Sequence, residues 1–239
     1  MQPFSRRRFF FTASAALAAA RITQSAQPEI VPKLLDHILI GSPDLNAGIA
    51  FVEERTGVRA AFGGVHPGAG TRNALLSLGT NRYLEIIAPD PKQAATDDKR
   101  NLASLDEPVI VGWAQHPGDI ESFAQRLKGE GVEVTGPQPG SRKRPDGRIL
   151  NWKTLALKDD AKGLFPFFIE WGAGSIHPSV DSPQGCSLEL FEAFAREKEL
   201  VQLHHRAGQL NLDLKITPSR GIYLHAVVAG PKGRLDITF

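Results

Sequence analysis

The sequence contains a single cysteine, Cys186, among its 239 residues. No intramolecular disulfide can therefore form, and no cysteine-rich metal site is available. Small exported folds often depend on disulfides, but a chain of this length can be stable through its apolar core alone. With 41% hydrophobic and 23% charged residues, the composition is that of an ordinary globular protein.

A clustered basic surface is also lacking. The formal net charge is +2, but residues 1–26 hold four arginines and no acidic residue. Taking those four from the 28 basic residues leaves 24 against 26 acidic ones, so the rest of the chain is slightly acidic. The basic run Arg142-Lys143-Arg144 is short, and short charge runs usually face solvent. Because nucleic-acid binding needs a clustered basic face, we expect no nucleic-acid partner.

The apolar run from Phe9 to Ala20 is too short to span a bilayer comfortably, which takes about 20 residues. It overlaps the segment Ser5-Arg6-Arg7-Arg8-Phe9-Phe10, which resembles the twin-arginine export motif. We therefore predict that residues 1–26 are a signal peptide and that the mature protein is periplasmic or secreted, without stable membrane association. An uncleaved membrane anchor is the alternative interpretation.

The first half of the remaining chain has a clear order of elements. An apolar run at 34–40 predicts a buried strand. Asp44 is suited to cap the following helix, and Gly57 is suited to end it. Segments 71–78 and 82–88 then predict two strands separated by a turn.

The same order returns in the second half. Segment 109–114 predicts a strand, and a helix is expected between the cap Asp119 and the terminal Gly131. Segments 149–157 and 165–171 predict the later strands. The two capping aspartates are 75 residues apart, which indicates an internal duplication.

Two segments are harder to assign. Residues 137–147, rich in proline, glycine and charge, predict a loop inserted between strands. Residues 187–239 contain a strand-like segment at 188–191, a predicted helix at 192–207 and three short β segments. We interpret this region as a third, degenerate copy of the repeated unit.

Several local segments carry a family resemblance. They are Asp36-His37-Ile38, Gly63 to Gly68, Gly70 to Leu76, Tyr83 to Pro91, Arg144 to Arg148 and Ile169 to Gly172. Together with the tandem βαβββ order, they resemble the glyoxalase-like group of the vicinal oxygen chelate superfamily. The resemblance implies an α+β fold with modules at 34–91 and 108–180, and with a partial third module at 187–239.

The resemblance also implies a divalent metal ion in a cup between the modules, held by the first and last strands of each. Carried over by position, the ligands are His37 and Glu85 from the first module and Glu170 from the second. The fourth position falls on Gly112, which has no ligating side chain. One imidazole and two carboxylates suit Mn²⁺, Fe²⁺, Zn²⁺ or Mg²⁺. One of the two glutamates is also the candidate catalytic base.

The residue types leave other interpretations open. A histidine on an apolar strand is often only hydrogen-bonded in the core, and this applies to His37. Glu85 and Glu170 lie within apolar strands, where a buried carboxylate is costly unless it is paired. The alternative to a metal is a salt bridge to an arginine such as Arg72 or Arg148.

Four residues are candidate substrate contacts: His66, Asn73, His116 and Arg148. His66 and Asn73 lie in the glycine-rich segment between strands, although His66-Pro67 can also simply shape a loop. His116 follows Gly112 by four residues and shares its strand face by alternation. The same alternation points Trp171 away from Glu170, and therefore away from the expected cup.

These features predict a metal-dependent, glyoxalase-like enzyme of the lyase or isomerase type that acts on a small oxygenated molecule. The alternative is a periplasmic protein that binds or sequesters a small molecule without catalysis, and the missing ligand at Gly112 favours it. The sequence leaves open whether the cup forms within one chain or across a homodimer.

Overall fold

The computed structural model describes residues 31–94, 100–144 and 146–238. The predicted signal peptide at residues 1–26 lies outside these ranges. Within them, no helix combines the length and the apolar character needed to cross a membrane.

The first module is a strand, a helix and three strands: β1 (Leu35–Gly41), α1 (Leu45–Thr56), β2 (Ala61–His66), β3 (Thr71–Ser77) and β4 (Tyr83–Pro89). Asp44 caps α1 by accepting hydrogen bonds from the backbone N–H groups of Asn46 and Ala47 at 2.8 and 3.0 Å. Gly57 ends the helix in the left-handed conformation, with φ at 80°. The local signals in the sequence therefore position α1 correctly.

The second module repeats this order: β5 (Val109–Gln115), α2 (Ile120–Gly129), β6 (Val134–Lys143), β7 (Ile149–Leu157) and β8 (Phe167–Trp171). A 3-10 turn at Leu102–Ser104 precedes it, and a short helix, α3 (Pro178–Asp181), follows it. Asp119 caps α2 through the backbone N–H of Ser122 at 2.7 Å.

The predicted loop at 137–147 is wrong over most of its length, because residues up to Lys143 belong to β6. This strand forms one edge of its sheet and pairs only with β7. The open side of an edge strand has no neighbouring strand to accept its N–H groups. Pro137 and Pro139, which lack an N–H group, are therefore tolerated there.

The two modules form one eight-stranded sheet in the order β2-β3-β4-β1-β5-β8-β7-β6. The modules are joined by the antiparallel pair β1 and β5, with Ile38 opposite Trp113 and Leu39 opposite Gly112. The two edge strands, β2 and β6, contact each other, so the sheet curls around an interior. The cup therefore forms within a single chain.

Alternation along the strands gives this sheet two faces. Ile38, Ile40 and Leu84 pack with the helices in the main core. Their neighbours along the strands, His37 and Glu85, point instead to the concave face. Polar side chains thus enter the interior of the curled sheet from strands whose other face is apolar.

The last part of the chain follows the order β9 (Ser187–Arg196), α4 (Leu200–Gln209), β10 (Ile216–Ser219), β11 (Tyr223–Gly230) and β12 (Gly233–Thr238). It forms a separate four-stranded sheet in the order β10-β9-β11-β12, with β10 parallel to β9. This partial third module shares the element order of the other two but not their strand order.

The predicted helix at 192–207 begins too early. Phe191, Ala193 and Ala195 are each 0% exposed, which is the period-two burial of a strand, and β9 extends to Arg196. The third sheet covers the helical side of the first module, because β11 and β12 contact α1. Phe191 also packs edge-on against Trp113, with ring centroids 5.1 Å apart.

Candidate functional site

Glu85 lies in the middle of β4 and is only 7% exposed. Its Oε1 accepts a hydrogen bond from Asn73 Nδ2 at 2.7 Å, and its Oε2 lies 3.6 Å from His37 Nε2. Burial raises the pKa of Glu85, but nearby polar and cationic groups outweigh burial and hold the pKa below its ordinary value. These groups are His66, His37, Arg142 and the amide of Asn73. Glu85 is therefore a carboxylate in the folded protein.

His37 is held in place by its neighbour along the chain. Its Nδ1 donates a hydrogen bond to Asp36 Oδ1 at 2.7 Å, and its ring stacks on Tyr83 with centroids 4.4 Å apart. The register shifts between Leu35 and His37, and such a bulge redirects side chains, so that adjacent residues here approach each other. With Nδ1 bonded to Asp36, the free Nε2 of His37 faces Glu85.

Asp36 is 3% exposed and is bonded by three groups. Besides His37, it accepts hydrogen bonds from Trp171 Nε1 at 3.0 Å and from His177 Nε2 at 3.2 Å. Burial raises the pKa of Asp36, but the hydrogen bonds from His177 and His37 outweigh burial and hold the pKa well below its ordinary value. Asp36 is therefore a fixed anion that orients His37.

His66, at the end of β2, contacts the other oxygen of Glu85. Its Nε2 lies 3.7 Å from Glu85 Oε1 and 3.3 Å from Asn73 Nδ2, and its Nδ1 lies 2.9 Å from Thr71 Oγ1. An amide N–H₂ group only donates, so this network assigns the proton to Nδ1 and leaves Nε2 as the acceptor. Burial also lowers the pKa of His66, which agrees with a neutral ring.

Arg142 reaches the same cluster from the second module. It lies on β6, is 4% exposed, and donates a hydrogen bond from Nη1 to Asn73 Oδ1. A Cβ atom at Gly63 would lie 2.7 Å from this Nη1, and one at Gly64 would lie 2.9 Å from Cδ of the arginine. The two glycines therefore permit the close approach of β6 to β2.

The amide of Asn73 thus links the two modules. Its Nδ2 donates to Glu85, and its Oδ1 accepts from Arg142. We name the set of Asp36, His37, His66, Asn73, Glu85 and Arg142 the interior cluster.

A second feature opens beside Asp36. A cavity of about 450 Å³, here named the outer pocket, is lined by Lys33, Leu34, Leu35, Asp36, Thr80, Asn81, Arg82, His116, Trp171 and His177. Asp36 is the residue that the outer pocket and the interior cluster share. A single buried carboxylate therefore connects the pocket to His37.

Glu170 does not join the interior cluster. Its Oε2 accepts a hydrogen bond from the backbone N–H of Ile120, the first residue of α2, at 2.7 Å. The neighbouring Trp171 instead points to the concave face, where its ring bonds Asp36. The strand β8 is thus one residue out of phase with the position that the duplication suggested. The expected set of His37, Glu85 and Glu170 is therefore not assembled, and Trp171 lies on the side opposite to the one expected.

The four candidate substrate contacts lie in three places. His66 and Asn73 lie in the interior cluster. His116 lines the outer pocket, with Nδ1 3.2 Å from the carbonyl oxygen of Ile169. Arg148 lies on the surface, where it pairs with Asp146 at 2.5 Å and with Asp181 at 2.8 Å.

The sequence interpretation missed two members of the interior cluster, Asp36 and Arg142, and pointed Trp171 to the wrong side of its strand. In the sequence, Asp36 is distinguished only by its position next to His37 in the segment Asp36-His37-Ile38. Arg142 belongs to a short basic run, and such runs usually face solvent. The burial of Arg142 depends on the contact between β2 and β6. A signal did exist in Gly63-Gly64, because two adjacent strand glycines often mark the close approach of another chain segment.

The fourth ligand position of the family pattern offers space but no donor. Gly112 lies on β5 opposite Leu39, and an added Cβ there would meet no atom within 4 Å. In the part of the chain that the structure describes, no group of three or more His, Cys, Asp or Glu side chains is arranged to hold a metal.

Comparison with known proteins gives a family and a fold. A family model described as a glyoxalase-like domain matches residues 35–209. A hypothetical protein from Staphylococcus aureus is similar in structure, with a TM-score of 0.57 and 18% identity, over 85% of this chain and 84% of that chain. Methylmalonyl-CoA epimerase from Mycobacterium tuberculosis gives a TM-score of 0.42 and 20% identity, over 62% of this chain and 92% of that chain. None of the curated proteins matches the sequence. The first of the two structures supports the fold, and neither identifies a reaction.

Proposed function

The chain belongs to the glyoxalase-like domain family, and on that premise we propose that it is an enzyme of the isomerase or lyase type. It would remove a proton from a carbon next to a carbonyl group in a small oxygenated molecule. The observation that carries this proposal is the buried Glu85 carboxylate, 3.6 Å from an imidazole that Asp36 orients.

In this proposal, Glu85 is the general base. In the described residues its Oε2 accepts no hydrogen bond, whereas Oε1 is bound by Asn73. The proton from the substrate carbon passes to Oε2, and the electron pair of the broken C–H bond forms an enolate. Positioned acid–base groups typically contribute about 10²- to 10⁴-fold in rate.

His37 is the second proton carrier. Its Nε2 faces Oε2 of Glu85, and Asp36 holds its Nδ1 proton in place. A proton returned to a different atom of the enolate gives isomerisation, and loss of a leaving group from the enolate gives a lyase product. This pairing of an anchored imidazole with a carboxylate supports proton transfer over simple binding.

The interior cluster does not fit a resident divalent cation. Glu85 Oε1 and His66 Nε2 both accept hydrogen bonds from Asn73. Within the interior cluster, only His37 Nε2 and Glu85 Oε2 are then free to coordinate a metal ion. The Arg142 guanidinium is also bonded to the same amide and places a positive charge beside the site. Two ligand atoms beside the positively charged Arg142 are fewer than the three or four ligands that a catalytic metal requires. We therefore propose chemistry that does not depend on a metal.

A binding protein without catalysis is the second candidate. The vacant side-chain position at Gly112 favours it, because a family member that lacks a ligand can keep the cup and lose the reaction. In that case, small molecules would bind in the interior without any exchange of their protons with solvent.

Deuterium exchange tests the proposal. Small aldehydes, ketones, 2-oxo acids and hydroxycarbonyl compounds are incubated with the protein in D₂O, and the loss of the proton next to the carbonyl is followed by NMR. We expect exchange with the wild type and a loss of about 10²-fold or more in Glu85→Gln. Glu170→Gln is the control, since Glu170 faces α2. Binding without exchange in the wild type would instead establish the binding function.

We further propose that the protein is exported by the twin-arginine route, for which Arg6 and Arg7 are the motif residues. Replacing both arginines with lysine is expected to retain the precursor in the cytoplasm, as followed by cell fractionation. Export of the variant at the rate of the wild type would refute this proposal.

A further inference from the structure

Arg142 is a buried cation that makes no direct contact with an anionic side chain among the described residues, because the Asn73 amide lies between it and Glu85. The residue is 4% exposed, and the one hydrogen bond that its side chain makes with a described residue runs to the neutral amide of Asn73. Its Nε is buried and meets no acceptor. Among the residues that the structure describes, Arg142 forms no ion pair.

Such a placement is unfavourable in the protein alone. A buried charge is normally paired, because taking it out of water costs more than one hydrogen bond to a neutral group returns. Asn73 cannot supply the missing charge, and the carboxylate of Glu85 is bound to the other end of that amide. An anion that enters with a ligand would complete the site.

The shape of the free donor edge indicates which anion this is. Nη1 is used by Asn73, so Nε and Nη2 remain as the side edge of the guanidinium. Two parallel N–H donors match the two oxygens of a carboxylate. The backbone of Gly63 and Gly64 packs against this side chain and limits its movement.

We propose that Arg142 binds a carboxylate of the substrate, which is therefore a small carboxylic acid with a carbonyl group next to the reacting carbon. This inference rests on the proposed function, because an acid bound at the free edge of Arg142 has to present its reacting carbon to Oε2 of Glu85. The Asn73 amide spaces the cation from the base and so determines where that carbon lies. Arg142 selects the substrate, while Glu85 performs the chemistry.

The test compares short-chain 2-oxo acids with their neutral primary amides by NMR titration. We expect the wild type to bind the acids about tenfold more tightly than the amides or better, since charge-assisted pairs are the stronger ones. Arg142→Gln should lose this preference. Arg142→Lys should keep the preference for the acid but bind it more weakly, because lysine lacks the planar fork. Arg148→Gln is the control, since that arginine pairs with Asp146 and Asp181 on the surface.

Several results would overturn the inference: equal binding of acids and amides, no binding of any acid, or an unchanged preference in Arg142→Gln. Inorganic phosphate that competes as well as the acids would assign a phosphate instead and would equally overturn it. Urea unfolding checks that each variant is folded, and Arg142→Lys carries the test if Arg142→Gln is not.

The Glu85→Gln variant separates this inference from the proposed function. We expect it to retain the preference for acids while losing deuterium exchange. Acid preference without exchange in the wild type would contradict the proposed reaction and leave the carboxylate site standing. Exchange of neutral amides as fast as of the matching acids in the wild type would instead contradict the carboxylate site and leave the proposed reaction standing.

Discussion

The two modules share one strand order but contribute differently to the interior. The first module supplies Asp36, His37, His66, Asn73 and Glu85, which are five of the six residues of the interior cluster. The second module supplies Arg142 and a wall of aromatic and aliphatic residues that includes Phe167, Ile169 and Trp171. The duplicated modules keep the same strand order, whereas the residues proposed for catalysis lie in the first module.

The glutamates show the difference most clearly. Glu85 and Glu170 occupy similar places in the last strands of their modules, but one faces the interior and the other caps α2. A shift of one residue along a strand exchanges its two faces. Equivalent positions in a repeat therefore do not guarantee equivalent roles, and each side chain has to be placed by its contacts.

The contact between the modules gives the largest expected effect on stability. Asn73→Ala removes the hydrogen bonds to Glu85, His66 and Arg142, and leaves buried charges without partners. We expect a loss of about 3 kcal/mol in the free energy of unfolding, measured with urea. The matched control is Asn151→Ala at an exposed position of β7, which we expect to cost much less. Equal losses in the two variants would contradict a link through Asn73.

Asp36 allows the first module to be tested by pH. The pKa of Asp36 is lower in the folded protein than in the unfolded chain, where an Asp has a pKa of about 3.9. Such a carboxyl group stabilises the folded protein at any pH above its unfolded pKa, and this stabilisation is lost as the pH falls through its folded pKa. We expect Asp36→Asn to cost about 2 kcal/mol at pH 7. The difference from wild type should shrink below about pH 4. A difference that stays constant down to pH 2 would contradict the assignment.

The closure of β2 on β6 can be tested at Gly63. A methyl group there would lie 2.6 Å from Asn73 Oδ1 and 2.7 Å from Arg142 Nη1. We expect Gly63→Ala to cost about 1–2 kcal/mol and to weaken carboxylate binding, because the arginine must move. Gly129→Ala is the control, since an added Cβ at the end of α2 meets nothing within 4 Å. A Gly63→Ala protein with wild-type stability and binding would show that the two strands do not meet as described.

The smallest effect concerns Glu170. Because it bonds the first N–H group of α2, Glu170→Ala should behave like the loss of a helix cap and cost about 1 kcal/mol. Deuterium exchange should continue at the rate of the wild type. A collapse of exchange in a folded Glu170→Ala protein would restore this residue to the active site.

Local signals account for much of what the sequence could predict about the fold. Asp44 and Gly57 mark the ends of α1, and the apolar run before them marks β1. The segments that failed lacked such signals or carried conflicting ones. The prolines and glycines of β6 predict a loop rather than a strand. The second half of β9 was predicted as helix, and only the alternating burial in the structure identifies it as a strand.

The site was less predictable, for a physical reason. His37 and Glu85 follow from the family resemblance, since their strands are buried on both faces and show no alternation that fixes the phase. The same transfer by position fails for β8, where Phe167 and Phe168 are both apolar and give no signal that corrects the phase. The burial of Arg142 depends on two strand edges that are distant in sequence and meet only in the folded protein.

The most direct test of the interior cluster as a metal-independent base is deuterium exchange after dialysis against a chelator, with the metal content of the same sample measured. We expect the dialysed wild type to exchange substrate protons as fast as the untreated protein, and Glu85→Gln to be inactive in both states. Loss of exchange on chelation, followed by recovery when Mn²⁺, Fe²⁺, Zn²⁺ or Mg²⁺ is added, would contradict this mechanism.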